Sequence, residues 1–75
     1  MSTRERARDY LLQGQTLRAA GLMLNLIEAE PTSENLALLA GIYMQQGLFD
    51  DAKELYLRVV MLGLKEGREA REVLR

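Results

Sequence analysis

A chain of 75 residues makes one small domain that buries only about 60% of the surface its unfolded form exposes, so its core is thin and its stability marginal without further support. The absence of cysteine and histidine excludes disulfides and thiolate metal sites, and removes the commonest proton shuttle and transition-metal ligands. With 48% hydrophobic and 28% charged residues the chain reads as a folded soluble domain, and a net charge of −1 gives no overall pull toward nucleic acid or an anionic membrane.

Taken in order, the first residues, Met1-Ser2-Thr3-Arg4-Glu5-Arg6, are charged and no signal-peptide apolar stretch follows them. Good helix formers from Arg4 to Gln13 predict helix one, stopped by Gly14, which enters the left-handed conformation at no steric cost. Thr16 is placed to cap helix two, Leu17 to Ala29, which Pro31 ends by lacking an amide hydrogen and by restricting Glu30. Thr32 or Ser33 caps helix three, which Gly47 ends; Asp50 and Asp51 then suit the positive end of helix four. Gly63 is expected to close helix four, and Lys65 to Arg75 to form a fifth helix that begins a further unit without completing it. No stretch alternates over strand length, so no sheet is expected. The longest apolar run, Leu36 to Met44, is far too short to cross a bilayer, and a cytoplasmic protein is expected.

Beneath these elements lies a repeat: Ala7, Tyr10, Gly14 and Ala19 recur as Ala40, Tyr43, Gly47 and Ala52, every pair with the same separation. A period of this size means stacked helical hairpins, because one hairpin cannot bury its own apolar face and lays it against a copy of itself. Ala40 and Ala52 are small where two helices must cross closely, and Tyr43 and Tyr56 are large where the gap is wide. Leu36, Leu39, Ala40 and Tyr43 form the i, i+3, i+4, i+7 stripe that packs on helices two and four.

The segment Leu36-x2-Leu39-Ala40-x2-Tyr43-x3-Gly47-x-Phe49-x2-Ala52-x3-Tyr56 closely resembles a tetratricopeptide repeat. Ala7, Tyr10, Gly14, Ala19, Met23 and Pro31 make a degenerate first copy, in which Arg6 stands at a leucine position and Thr16 at an aromatic one. Leu64 occupies the second copy's terminal proline position, which weakens the stop between helices four and five. The resemblance implies an all-α fold: about five helices, as antiparallel hairpins stacked in a short right-handed solenoid. Residues 1–75 then form one domain, with repeat one at about 1–32, repeat two at about 33–64 and a partial third helix at 65–75. It also implies a non-enzymatic protein-interaction scaffold, an adaptor or small chaperone.

In that register the groove presents Arg4, Arg8, Leu11 and Leu12 from the first repeat and Ala37, Gly41, Met44 and Gln45 from the second. The floor is apolar with an arginine edge, suited to a peptide or helix carrying acidic residues, and the Met44 thioether can conform to a guest. The same residues could instead be core, filled by the fifth helix folding back. Some members of the family hold a C-terminal carboxylate in a lysine, asparagine and arginine clamp; here only Arg4 and Arg8 imitate it, and Leu38 stands at the asparagine position. Leu24, Leu57 and Met61, apolar at positions the family usually keeps polar, form the expected self-association patch of a homo-oligomer, the alternative being that a longer parent protein covers them. Asp50, Asp51 and Glu54 lack the spacing of a calcium loop and read as a solvated helix start, so no metal or cofactor is expected. Scarce aromatics and the charge balance argue against a helical-repeat nucleic-acid reader. Two readings stay open: an interaction module with a protein partner, or a structural or designed solenoid fragment whose apolar faces serve only self-assembly.

Overall fold

The computed structural model describes the backbone of residues 1–74 and the side chains of residues 1–68. Its four helices are α1 (Thr3–Leu12), α2 (Thr16–Ala29), α3 (Ser33–Gln45) and α4 (Phe49–Leu74), and no strand occurs among the described residues. Each helix packs on the next in the chain: α1 on α2, α2 on α3, α3 on α4.

The repeat is written into the hydrogen bonds that end the helices. After α1 the chain turns through Gly14 at φ +76°; the Gly14 N–H donates to the Leu11 carbonyl at 3.0 Å and the Gln15 N–H to the Tyr10 carbonyl at 2.8 Å. After α3 the same pair of bonds forms at the equivalent positions of the second repeat, from Gly47 at φ +78° to Met44 at 3.1 Å and from Leu48 to Tyr43 at 2.9 Å. Both are Schellman closures, whose C′ residue needs the positive φ that glycine adopts freely. At the opposite ends, Ser2 Oγ accepts from the Glu5 N–H and Thr32 Oγ1 from the Asn35 N–H, each at 3.2 Å. Thr16 does not act in this way. It is the first residue of α2, and the capping position falls to Gln15, which makes no side-chain bond to the helix.

A buried side chain secures the short link between α2 and α3. Pro31 follows Glu30 in extended backbone (φ −133°, ψ 78°), as a residue before proline prefers. The Asn35 side chain then donates from Nδ2 to the Glu30 carbonyl at 2.9 Å, tying the first turn of α3 to the end of α2.

The repeat breaks at the position that follows. Residue 64 is leucine where residue 31 is proline, and α4 runs through it without interruption for 26 residues, twice the 13 of α3. The expected stop at Gly63 and the separate fifth helix are therefore corrected: residues 65–74 continue α4, and Arg75 lies outside the described residues. Glycine ends a helix by taking positive φ, and Gly63 does not take it; with Leu64 supplying an ordinary N–H, the i to i−4 ladder continues.

The core is thin, as the length implies. Its largest fully buried side chains are Met23, Leu36, Leu39 and Ile42, and the rest is mostly alanine: Ala7, Ala19, Ala20, Ala40 and Ala52. Ala40 and Ala52 are both fully buried, on the two helices that must approach closely, whereas Tyr43 is half-buried and Tyr56 exposed. The two repeats set opposite charges at one place. The Arg18 guanidinium lies 5.9 Å from the Tyr10 ring centre, and Asp51, its counterpart in the second repeat, stands near Tyr43. Burial, and next the Asp51 carboxylate, hold the Tyr43 phenol above its ordinary value.

Two outcomes follow. Leu64→Pro would remove the N–H that bonds to residue 60 and set its ring against that carbonyl, at a cost of about 3 kcal/mol in a helix interior. Since Leu64 is exposed, the variant should keep cooperative unfolding but lose helical ellipticity as α4 ends near residue 62; unchanged ellipticity would show that the missing proline is not what lengthens α4. Tyr43, its folded value raised, contributes stability that is complete below the unfolded phenol's pKa of about 10 and is lost as pH rises through the folded value. Followed by NMR at the Tyr43 ring, ionisation of this phenol should fall above its ordinary value; ionisation at or below that value would contradict it.

Candidate interaction surface

The residues expected to line the groove differ in exposure. On α1, Arg8 and Leu12 are exposed, Leu12 by 87%, while Leu11 is half-buried and packs on the core. On α3, Ala37 and Gly41 are half-buried and Met44 and Gln45 exposed. The space where a Cβ would stand on Gly41 is open, with no atom within 4 Å. Arg4 is not a free cation: its guanidinium pairs with the Glu34 carboxylate, one helix to another. This pair is exposed enough to contribute less than about 1 kcal/mol, yet it places a carboxylate beside the first of the two arginines assigned to an acidic guest. Arg4 and Glu34 line a cleft of about 530 Å³ with Glu30, Glu66 and Asn35, and acidic groups outnumber cations there.

The apolar surface lies elsewhere, on α4. Phe49, Tyr56, Leu57, Val60, Met61 and Leu64 are each exposed by between 42% and 65%, and they share a side of the helix away from Ala52 and Leu55, which are buried. Two grooves flank this stripe. One, of about 350 Å³, is lined by Met44 of α3 with Phe49, Lys53, Tyr56, Leu57 and Val60. The other, of about 670 Å³, has Pro31, Leu36, Leu57, Met61, Leu62 and Leu64 as its apolar lining and Arg58, Lys65 and Arg68 as its charged residues. Leu57 borders both and stands as the ridge between them. Of the three residues assigned to self-association, Leu57 and Met61 share the larger groove, and Leu24 is exposed on α2, outside the lining of either.

Phe49, Val60 and Leu64 belong to this surface and composition alone does not single them out; comparison of the repeats singles out Val60. In the first copy, Lys53, Tyr56 and Val60 correspond to Ala20, Met23 and Ile27 of α2, and all three of those are buried, with α3 packed on α2. Tyr56 and Val60, exposed on α4, thus stand at positions that α2 buries, while Leu57 and Met61 stand at the positions of Leu24 and Glu28, which α2 also exposes. Met44 in the smaller groove corresponds to Leu11, which packs on the core.

Asp50, Asp51 and Glu54 are exposed on the first turns of α4, and among the described residues no group of acidic side chains converges as a metal site would require. No helix of the described residues is long and apolar enough to cross a membrane.

Compared with known proteins, the chain matches the tetratricopeptide repeat family over residues 10–75, which begins within α1 and takes in both glycine turns, Pro31 and all of α4. No curated protein and no solved structure matches it. Tetratricopeptide repeats are typically a non-enzymatic fold that holds protein partners. The match spans most of the chain, and with the paired Schellman turns at Gly14 and Gly47 it establishes that the chain belongs to the tetratricopeptide repeat family.

Proposed function

We propose that this chain is a protein-interaction module that takes a helical segment of a partner on the exposed face of α4 and in the two grooves beside it. One observation carries the reading. Met23 and Ile27 are buried on α2, which has α3 packed on it, while their counterparts Tyr56 and Val60 on α4 are exposed. An amphipathic helix laid there would bury the Phe49, Val60 and Leu64 side chains at about 25 cal/mol per Å² of apolar surface removed from water. The mode is recruitment, as an adaptor uses it, with no chemical step.

The α1/α3 surface supports a second reading, a concave groove for an extended apolar peptide with acidic residues, floored by Leu11, Leu12, Ala37, Gly41 and Met44 and edged by Arg4, Arg8 and Gln45. The open space over Gly41 favours it. The pairing of Arg4 with Glu34 counts against it, because an acidic guest must first displace a carboxylate.

A photo-reactive amino acid placed at residue 60, and separately at residue 41, tests the choice in the native cellular setting. Protein adducts should form from residue 60 and far fewer from residue 41. Adducts from residue 41 alone would move the site to the α1/α3 surface, and adducts from neither would overturn the interaction reading.

A further inference from the structure

Resting on that reading of the α4 face, we infer that its occupant is a second copy of this chain, with the two α4 helices packed antiparallel about a two-fold axis close to Leu57. The choice of a copy, and of this arrangement among the possible ones, comes from three properties of the chain.

The first excludes head-to-tail stacking. In that arrangement α1 of one copy would cover α4 of another, as α3 covers α2 within a copy. Three of the positions that let α3 pack on both sides, Leu38, Leu39 and Ile42, are half-buried or buried. Their counterparts in α1, one repeat earlier, are Glu5, Arg6 and Asp9. Laying those charges on Tyr56 and Val60 would bury two carboxylates and a guanidinium in a groove whose lining offers one cation, Lys53, so that charges are left buried and unpaired. The surface that could receive a copy in series is thus matched by none that could supply it, and the remaining symmetric solution joins α4 to α4.

The second sets the direction. From Phe49 to Leu57 the helix carries net charge −2, from Asp50, Asp51 and Glu54 against Lys53. From Arg58 to Arg68 it carries +2, from Arg58, Lys65 and Arg68 against Glu66. An antiparallel pair sets each acidic half beside the partner's basic half and opposes the two helix dipoles. A parallel pair would set the two acidic first halves beside each other, while residues 58–74 carry only +1 in all.

The third sets the register. The exposed stripe runs from Phe49 to Leu64, so its midpoint falls at residues 56 and 57, and Leu57 is the ridge with a groove on either side. Pairing two such ridges about that point brings each Leu57 toward the other copy's grooves, and sets Lys65 of one copy within two residues of Asp50 of the other. Both flanking charges lie on the same side of the stripe, the placement in which antiparallel helices meet flank to flank.

Sedimentation equilibrium of the intact chain, at low and high salt, tests this with four variants. The native chain should sediment as a dimer that weakens as salt rises. Leu57→Glu should weaken dimerisation by about a hundredfold or more, since the symmetry axis brings two carboxylates together in an apolar seam, while the helical circular dichroism persists. Asp50→Lys and Lys65→Glu should each weaken the dimer, and the double variant should restore it, an outcome that a general loss of stability would not produce. A monomer at all concentrations, or assemblies that grow without limit, would overturn the inference, as would a dimer indifferent to Leu57→Glu or a double variant weaker than either single one. If the chain proves monomeric while residue 60 still forms adducts with other proteins, the second copy fails and the interaction surface stands; if no adduct forms either, both fail.

Discussion

The first hairpin of this chain depends on the second to cover it. α2 keeps Met23 and Ile27 out of water with α3 packed against it, and a hairpin of two helices offers no other way to bury a stripe on its outer side. The interior is made of small side chains, with alanine at five of its positions, so each helix contact removes a modest area and the structure depends on having several of them in series. α4 carries an apolar stripe of the same kind and nothing among the described residues covers it. The uncovered stripe is what supports the proposed docking surface on α4.

One residue changes what that surface is. Proline at position 31 ends α2 and turns the chain into α3; leucine at position 64 lets α4 run on for twice the length of α3. The continuation adds Leu64, Lys65 and Arg68 to the larger groove, which without them would be shorter and less cationic. It also carries α4 beyond its acidic first turns into a segment whose charges balance, Lys65, Arg68 and Arg71 against Glu66, Glu69 and Glu72. A loss of repeat symmetry thereby yields a long helix with a direction, which a partner can read.

The parts of this structure that were legible in the sequence are those governed by local backbone rules. Gly14 and Gly47 end helices because they alone take positive φ, Pro31 ends one because it has no N–H, and Thr32 caps one with its hydroxyl; each effect involves residues a few positions apart. Gly63 misled for the same reason. Glycine permits a stop without imposing one, and what decides is whether the next residues can continue the ladder, which Leu64 does. Thr16 misled because a hydroxyl at the first helical residue stands one position too late to cap. The ion pair of Arg4 with Glu34 joins two different helices across a long stretch of chain, so no local pattern announces it. Leu57 and Met61 stood out as apolar surplus in a helix already served by one buried stripe. Val60 was legible only through the comparison of each repeat with its copy, and Phe49 and Leu64 not even so, because exposure is a property of what packs alongside and not of the residue.

The central claim is that the uncovered face of α4 is where this chain meets another protein chain, a copy of itself. An isotope-filtered nuclear Overhauser experiment on an equal mixture of labelled and unlabelled chains tests it most directly, because it reports only contacts between molecules. The account predicts intermolecular contacts from the methyl groups of Leu57, Val60 and Leu64 to residues of the same stripe, with the Phe49 end of one copy near the Leu64 end of the other. Intermolecular contacts arising instead from Leu12 and Ala37, or none at concentrations where the chain is associated, would contradict it.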